Sequence, residues 1–419
     1  MPPLRVLHVI PSVSPRDGGP SRAIGVIERT LSAAGVEVTT LTTDHGIGPR
    51  GGAGAPVAVN GAHRIYAHKW LHPYKVAPGL VPHLLKTVHA HDVVHIHGLF
   101  SFASTAAAWA ARRAGVPYIV RPLGSLARYG LRERRQRLKR LSMALVEGPI
   151  LLAAAAVHFT SRAELEEAQA IGVPMRGVVI PLGVEAEDGL PAPPLQHAAL
   201  AGRRVILFLA RLDPMKNLEA VIDAVAASPM LRGSCTLVVA GAGETGYVAK
   251  LKARAAAAGI SEHTLWLGHV EGAEKRAALA AADVFALPSF MENFGIAAAE
   301  ALLAGVPCVL GEAVAIAAAV EEAGAGIRVR PEAPAVGQAL AQVLAGKPAL
   351  ACAMGLRARK FAESAFSTAA MAQRLIALYE DVRRIPRSEA RTGTGALAPE
   401  NPVAAAPCPW QHRRGPWAS

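Results

Sequence analysis

The chain has 419 residues, 44 of them Lys or Arg against 32 Asp or Glu, for a formal net charge of +12, and 52% of its residues are hydrophobic. This length predicts two or three domains of roughly 150 residues, and the hydrophobic content excludes a mostly disordered chain. Four isolated cysteines give no sign of a disulfide framework, and an aromatic content of 5% argues against a protein that stacks nucleic-acid bases, so we expect no nucleic-acid partner.

The first half of the sequence alternates short runs rich in Val and Ile with longer helical patterns. This alternation is typical of parallel strands joined by crossover helices, and it predicts a doubly wound α/β domain over residues 1–185. Helices are expected at Ser21–Ala34 and Ser101–Ala114. Strands are expected at Arg5–Val13, Val36–Thr43, Val93–His97, Tyr118–Arg121, Ala156–Ser161 and Val178–Pro181.

A glycine pair, Gly18 and Gly19, directly precedes the first predicted helix. Glycines let backbone amides approach an anion closely, and the start of a helix adds unpaired N–H groups and a positive dipole. The loop is therefore a candidate phosphate site, although the same pair also serves as an ordinary turn.

His97 ends the third predicted strand, immediately before Gly98. Because ligands bind at the carboxyl ends of the strands in doubly wound sheets, we expect His97 to hydrogen-bond a hydroxyl in the cleft. His95 shares its face of the strand, but no HExxH-type motif accompanies the pair, and we expect no metal site.

The segment Arg128–Arg140 carries seven basic residues and one acid on a predicted helix, with Leu131, Leu138, Leu141 and Leu145 along one stripe. A basic amphipathic helix is a candidate contact for an anionic membrane surface, and a solvated helix face is the alternative. No apolar stretch reaches the roughly 20 residues that span a bilayer.

Residues 186–202 contain three prolines and no apolar periodicity, which predicts a linker. A second βα series predicts a second doubly wound domain over 203–365, facing the first across a cleft. A helix over 366–385 and a tail over 386–419 follow, and the six prolines of the tail predict disorder. The strands of the second domain are expected at Val205–Ala210, Thr236–Ala240, Thr264–Leu267, Val284–Pro288, Pro307–Leu310 and Gly326–Val329.

Two cations, Arg211 and Lys216, follow the first strand of the second domain. At the carboxyl edge of a parallel strand and beside a helix N-terminus, they can neutralise a diphosphate that is bound or departing. This position favours a binding site over ordinary surface charge.

Glu292 follows the fourth strand of this domain, and Glu300 lies eight residues later, within the next predicted helix. Two carboxylates at this spacing can accept hydrogen bonds from the hydroxyls of a sugar or ribose, while the amides of Asn293, Phe294 and Gly295 can hold a phosphate at the helix start. The alternative is that Glu300 pairs with an arginine and Glu292 faces solvent.

A formal GxGxxG motif, formed by Gly241, Gly243 and Gly246, follows the second strand of this domain. A dinucleotide fingerprint also needs an acidic residue at the end of the next strand, about 20 residues on. That strand ends at Gly268 and Glu271 comes later, so the motif is incomplete and a dehydrogenase is a minor alternative.

These motifs together resemble the retaining glycosyltransferases of the GT-B fold, in the large family-four group that includes many bacterial polysaccharide and glycolipid enzymes. The resemblance runs from Arg5 to Arg384 and is most specific at Glu292 and Glu300 with Asn293-Phe294-Gly295 between them. Its segments are DGGPSRAIGVIERTLSAAGVEV, DVVHIHG, VIPLGV, ARLDPMKN, VAGAGE, LGHV, AADVFALPSFMENFGIAAAEALLAGVPCV and FSTAAMAQRLIALYEDV.

The resemblance implies a second domain that binds a nucleotide diphosphate sugar, a first domain that binds a lipid-linked or saccharide acceptor, and a C-terminal helix that crosses back to the first domain. It implies no cofactor and no metal. The donor-binding residues would be Arg211 and Lys216 for the diphosphate, Glu300 for the ribose, Glu292 for the transferred sugar, the amides of Phe294 and Gly295 for sugar or phosphate, and Gly19 for the diphosphate from the first domain.

The family resemblance further implies transfer with retention at the anomeric carbon, in the synthesis of a cell-surface polysaccharide or glycolipid at the cytoplasmic face of the membrane. Many relatives carry a donor-contacting His in the turn that here reads Arg121-Pro122-Leu123-Gly124, so Arg121 or His97 would take its place. The alternatives are a sugar-nucleotide epimerase of the same fold and an inactive membrane-associated scaffold.

Overall fold

The protein contains two β-sheets, one before and one after the predicted linker. The structure is a computed structural model, and it describes residues 3–14, 19–46, 55–70, 76–126, 136–185, 193–195, 197–345 and 348–392. The strands of the first sheet are β1 (Arg5–Val9), β2 (Glu37–Thr43), β3 (Val57–Val59), β4 (Ala62–Ala67), β5 (Val93–His97), β6 (Tyr118–Arg121), β7 (Ala156–Phe159) and β8 (Gly177–Val179). Those of the second are β9 (Arg204–Leu209), β10 (Cys235–Ala240), β11 (Thr264–Gly268), β12 (Val284–Leu287), β13 (Cys308–Gly311) and β14 (Gly326–Val329).

Helices connect the strands and cover both faces of the first sheet. In the first domain they are α1 (Gly19–Ala33), α2 (Leu80–Thr87), α3 (Phe102–Ala114), α4 (Gln136–Ser142), α5 (Gly148–Leu152) and α6 (Arg162–Gln169). The later ones are α7 (Leu218–Ala227), α8 (Pro229–Ser234), α9 (Thr245–Ala257), α10 (Gly272–Ala281), α11 (Ile296–Leu303), α12 (Ala317–Glu322), α13 (Ala333–Ala345), α14 (Pro348–Phe366), α15 (Thr368–Val382) and α16 (Arg387–Thr392).

The strand orders are β3-β4-β2-β1-β5-β6-β7-β8 and β11-β10-β9-β12-β13-β14. Every pair is parallel except β3 with β4, so the carboxyl ends of the core strands meet at one edge of each sheet. All twelve predicted strands are present, whereas β3 and β4 were missed. The polar residues His63 and Arg64 interrupt the apolar pattern of β4, and Arg64 is accommodated by an ion pair with the buried carboxylate of Glu28 on α1.

The C-terminal helix α15 leaves the second domain and completes the core of the first. Its Leu375, Leu378 and Val382 are buried with Val6 of β1 and Ile27 of α1 in one apolar cluster. Since each of these side chains is at most 1% exposed, the first domain cannot bury this face of its sheet without the end of the chain.

The segment that the sequence analysis assigned to the tail, from residue 386 onward, starts with helix α16, whose Ala390 is buried in the core of the first domain. The tail prediction was therefore wrong for residues 387–392, because six residues with a single core side chain are too few for a periodic sequence signal. Residues 393–419 lie outside the described part of the chain, as do residues 186–192 and residue 196 of the linker.

Four fully buried histidines occupy core positions of the first sheet, where apolar residues are usual, on the face covered by α1 and α15. They are neighbours across β1, β5 and β7, and Tyr379 of α15 packs against them. The Tyr379 hydroxyl lies 2.7 Å from His95 Nδ1, and His158 Nε2 donates to the carbonyl of Ile180 at 2.8 Å. The cluster comprises His8, His95, His97 and His158.

Hydrogen-bond partners fix the protons along part of this cluster. His158 Nε2 must donate because a carbonyl only accepts, so His158 Nδ1 accepts from His95 Nε2 at 3.4 Å. Burial raises the pKa of the Tyr379 hydroxyl, which therefore stays protonated and donates to His95 Nδ1. Each of these rings is neutral and ties a strand to its neighbour or to α15.

The neutral cluster makes stability sensitive to acid. Burial, with the nearby Arg121 charge as the second cause, lowers the pKa of His8 and of His158 to about 3, and burial holds those of His95 and His97 well below 6.5. Unfolded histidines bind protons below pH 6.5 and the folded ones do not, so acid favours the unfolded state. We expect the free energy of unfolding to fall by about 1 kcal/mol per histidine between about pH 7.5 and about pH 5.5.

Urea denaturation at the two pH values measures this loss. The variant His158→Gln removes one titrating group and should show a shallower pH dependence, whereas His89→Gln, at an exposed position, should keep the dependence of the wild type. Equal stability of the wild type at both pH values would contradict the prediction.

Candidate functional site

An ion pair between Lys216 and Glu292 joins two loops at the carboxyl edge of the second sheet. Lys216 ends the short 3-10 turn that follows β9, and Glu292 lies in the loop after β12. The ammonium donates to Glu292 Oε2, and the two side chains are 17% and 21% exposed. The two predicted site residues are thus neighbours, and Glu292 is not the solvent-facing carboxylate of the alternative interpretation.

The loop after β12 ends at a helix start that no side chain caps. Gly295 is the N-cap of α11, in a left-handed conformation (φ +92°) that favours glycine. Phe294 is buried and packs edge-on against Phe366, with ring centroids 5.4 Å apart. Phe294 therefore anchors the loop and leaves the first N–H groups of α11 available to an anion.

Glu300 lies in the second turn of α11 and pairs with a lysine, not with the arginine that the alternative interpretation assumed. Lys275 Nζ of α10 donates to Glu300 Oε1 at 3.0 Å, and the two side chains are 21% and 17% exposed. Lys275 had no signal in the sequence, because 25 residues and one strand separate it from its partner.

Asn217 holds the lysine-bearing turn in place and was also missed. It is 5% exposed, adopts a left-handed conformation (φ +57°), and its Nδ2 donates to the carbonyls of Pro288 and Pro331 at 3.1 and 2.7 Å. These bonds connect the loops after β9, β12 and β14. In the sequence, the available signal was an Asn directly after the Pro-Met-Lys run, because Asn is one of the few residues that adopt the left-handed conformation.

Arg211 stands apart from this constellation. Its side chain is 75% exposed and lies 3.5 Å from Asp213, whose carboxylate caps the turn at Met215 N. The structure therefore brings Lys216 and Glu292 into contact and leaves Arg211 at the rim of the same edge.

The GxGxxG loop serves packing instead of a dinucleotide. A Cβ at Gly241 would lie 1.8 Å from the carbonyl oxygen of Ala210, and one at Gly243 would lie 2.2 Å from that of Leu212. The following helix, α9, is capped by Glu244, whose carboxylate accepts from Gly246 N and Tyr247 N at 2.9 Å. A carboxylate thus occupies the helix start that a pyrophosphate would need, which removes the support for a dehydrogenase.

The first domain meets the Glu292 loop directly. A Cβ at Gly124, after β6, would lie 2.2 Å from Asn293 Nδ2, and Thr160 Oγ1, after β7, lies 3.5 Å from Asn293 O. Glu164 ties these two first-domain loops together by accepting from Gly124 N and Thr160 N. On the same side, α1 begins at Gly19, and a Cβ there would meet nothing within 4 Å, while Gly18 lies outside the described residues.

The expectation that His97 faces the cleft was wrong. Its ring is fully buried, its Nε2 lies 2.8 Å from His8 Nδ1, and it stacks on His95 with centroids 4.3 Å apart. Arg121, its partner in register on β6, is also buried, at 3% exposure. Successive residues of a strand face opposite sides of the sheet, and His97 lies on the side that α15 covers. The sequence pattern alone does not show which side of the sheet a helix covers.

The histidine cluster is also the group, among the described residues, whose spacing could suit a metal ion. The nitrogens of His8, His95 and His97 lie within 4.8 Å of one another. The rings of His8 and His95 stack on that of His97, at 24° and 29° between planes, His8 Nδ1 and His97 Nε2 are hydrogen-bonded to each other at 2.8 Å, and the positive charge of Arg121 acts on the same rings. The cluster suits a hydrogen-bonded support of the sheet better than a cation site.

Comparison with known proteins relates both domains to sugar-transferring enzymes. The model of the glycosyl transferase 4-like domain matches residues 18–183, and that of the glycosyl transferases group 1 matches residues 196–361. A phosphatidyl-myo-inositol mannosyltransferase of Mycobacterium leprae is 35% identical over 32% of this chain, and a D-inositol 3-phosphate glycosyltransferase of Jonesia denitrificans is 28% identical over 43%. These matches span 35% and 43% of the relatives' own lengths.

One relative matches almost end to end: the GDP-mannose:cellobiosyl-diphosphopolyprenol alpha-mannosyltransferase of Komagataeibacter xylinus is 26% identical over 92% of this chain and 95% of its own length. Among solved structures, a sucrose-phosphate synthase from Thermosynechococcus elongatus superposes with a TM-score of 0.67 at 20% identity, over 90% of this chain and 98% of that one. Anabaena HepE in complex with UDP gives 0.69 at 18% identity, over 90% and 100%. The fold is the GT-B fold.

The role of Asn217 can be tested by stability. Asn217→Ala removes two hydrogen bonds, leaves two carbonyls without their donor and places an alanine at φ +57°, so we expect the free energy of unfolding to fall by about 2–4 kcal/mol. Asn217→Gly loses the same bonds without the conformational strain and should lose about 1 kcal/mol less. Urea denaturation compares the two variants, and an Asn217→Ala variant as stable as the wild type would contradict this role.

Proposed function

The chain belongs to the group 1 glycosyl transferases, and from this we propose that it moves a sugar from a nucleotide diphosphate sugar to a lipid-linked or saccharide acceptor, with retention of the anomeric configuration. The observation that carries the proposal is the Lys216–Glu292 pair beside the uncapped start of α11. It puts a cation, open amides and a hydroxyl-accepting carboxylate in one crevice, facing the first domain. These are the groups that a sugar diphosphate requires.

In the proposed reaction, the bond between the anomeric carbon and the β-phosphate oxygen breaks, and the acceptor oxygen bonds to that carbon on the same face. The acceptor proton passes to the departing phosphate oxygen. Negative charge grows on the leaving diphosphate, and Lys216, Arg211 and the start of α11 stabilise it. Glu292 orients the sugar through its hydroxyls, and Glu300 holds the ribose.

We further propose that no metal takes part. Lys216 and the uncapped start of α11 lie at the proposed diphosphate position, and Arg211 lies at the rim of the same edge. Together they would supply the positive charge that a divalent ion provides in other phosphate sites. A chelator should therefore leave turnover unchanged.

We further propose that the acceptor is lipid-linked and is presented at the cytoplasmic face of a membrane. Two features support contact with a membrane-bound acceptor. The Komagataeibacter xylinus relative acts, by its name, on a sugar carried by diphosphopolyprenol. On this chain, the inner side of the α4–α5 region packs on the domain core through Met143 and Val146, whereas four leucines on the outer side are 54–69% exposed. This leucine row consists of Leu138, Leu141, Leu145 and Leu152.

The leucine row overlaps the end of the basic segment Arg128–Arg140, of which residues 128–135 lie outside the described part of the chain. Exposed leucines next to clustered cations fit an anionic bilayer, which takes up apolar side chains and attracts positive charge. Among the described residues, no helix combines the length and the apolar character needed to cross a membrane.

We expect Lys216→Ala to lower acceptor-dependent turnover by about a hundredfold or more, because it removes a charge that stabilises the leaving diphosphate. A thermal-shift panel of UDP, GDP, ADP and their sugars selects the donor, since a ligand of the native state raises the unfolding midpoint. Release of nucleoside diphosphate is then measured with cellobiosyl-diphosphopolyprenol as the first acceptor.

Lys360→Ala, at an exposed position of α14, is the matched control and should retain full turnover. Near-normal turnover by Lys216→Ala would contradict its role. Failure of the folded wild type to bind any nucleotide would contradict the function, and conversion of the donor sugar without an acceptor would favour an epimerase.

Membrane contact is tested with vesicles of phosphatidylcholine and phosphatidylglycerol. Replacing Leu138, Leu141 and Leu145 by Ser should weaken binding by about tenfold or more, because less apolar surface enters the bilayer. Replacing the four arginines at 132, 134, 135 and 137 by Gln should weaken it by roughly 1 kcal/mol per charge.

Leu356→Ser is the control, because Leu356 is 67% exposed on α14 of the other domain and should not affect vesicle binding. If neither the leucine nor the arginine variant changes vesicle binding, α4 is a solvated helix face.

A further inference from the structure

Lys275 and Glu300 form a partly enclosed ion pair between two helices of the second domain. Lys275 lies in the first turn of α10, and its Nζ is 3.0 Å from Glu300 Oε1 in the second turn of α11. Among the described residues, the other oxygen, Glu300 Oε2, has no hydrogen-bond partner. The pair thus engages one side of the carboxylate and leaves the other side available.

Such a carboxylate needs a partner to remain charged and fixed. With 17% of its side chain exposed, Glu300 has little contact with water, and an unpaired charge in such a place is costly. Lysine carries its charge at the end of a flexible stem, but here the ammonium is itself only partly exposed, at 21% for the side chain. The pairing therefore limits the carboxylate to a narrow range of orientations.

Orientation matters for the ligand that Glu300 is proposed to hold. The 2′- and 3′-hydroxyls of a ribose are adjacent donors, and one carboxylate accepts from both only if its plane faces them. A site built to pair with a hydroxyl strongly rejects an analogue that lacks it, because the buried acceptor is then left unpaired.

We propose that Lys275 is a positioning residue that orients the Glu300 carboxylate and thereby makes the donor site select ribonucleotides over 2′-deoxyribonucleotides. This inference rests on the proposed function, because it assumes a nucleotide at Glu300. It assigns to Lys275 an effect on the ribose and none on the diphosphate, which belongs to Lys216.

Calorimetric titration with UDP and 2′-deoxy-UDP, and with GDP and 2′-deoxy-GDP, tests the proposal. The wild type should prefer the ribonucleotide of the bound base by about tenfold or more, and Lys275→Met should reduce this preference to below about threefold. Lys275→Arg keeps a cation next to Glu300 and should restore most of it. Lys360→Met, at the exposed position on α14, should leave the preference of the wild type unchanged.

A double substitution separates positioning from direct contact. In a Glu300→Gln background, Lys275→Met should have no further effect on the preference, because it acts through the lost carboxylate. A further loss there would overturn the proposal, as would an equal weakening of ribo- and deoxyribonucleotides or a wild-type preference in Lys275→Met. Lys275→Gln carries the same comparison if Lys275→Met does not fold.

The two hypotheses fail differently in this experiment. A folded wild type that binds none of the nucleotides contradicts the proposed function. A wild type that binds a nucleotide without distinguishing ribose from deoxyribose, or that keeps the distinction in Lys275→Met, contradicts only the role of Lys275.

Discussion

The Lys216–Glu292 ion pair joins loops that follow two different strands of the second sheet, and the shape of the proposed donor site depends on it. Each side chain is about one-fifth exposed, so each charge needs the other to remain in place. Asn217, next to the lysine, connects the same turn to the loops after β12 and β14 through two carbonyls. The parallel arrangement of the strands makes this possible, because it brings all three loops to one edge. A second lysine–carboxylate ion pair, between Lys275 of α10 and Glu300 of α11, lies in the second domain as well.

The first domain completes the site and depends on the end of the chain for its own core. Its loops after β6 and β7, tied together by Glu164, contact Asn293 in the middle of the Glu292 loop. Helix α15 then returns from the second domain and buries its apolar face against β1 and α1. The histidine cluster lies between that helix and the carboxyl end of the sheet. The two domains are therefore connected by the contacts at Asn293 and by the packing of α15 on the first domain.

Much of the candidate site could be predicted from the sequence, because its acidic residues and its glycine follow one another at fixed spacing along the chain. Glu292, Gly295 and Glu300 belong to one loop and one helix, so local geometry determines their arrangement. The partners of these residues could not be predicted in the same way. Lys275 lies 25 residues before Glu300, and Gly124 lies far from Asn293 in the sequence. The role of Gly241 and Gly243 was equally hidden, since it comes from the backbone of a neighbouring loop.

The sequence by itself determined the two α/β domains, twelve of the fourteen strands in the described part of the chain and the loops that carry the charged groups, because strand and helix periodicities and glycine-containing turns are local properties. It did not determine β3 or β4, the second of which contains Arg64 in an ion pair with Glu28, nor the short helix α16. Only the tertiary structure decided that His97 faces the buried cluster, that Glu244 caps α9 while α11 stays uncapped, and that two lysines hold the two site carboxylates. These outcomes depend on contacts between residues that are distant in the chain, and such contacts leave no periodic trace in the sequence.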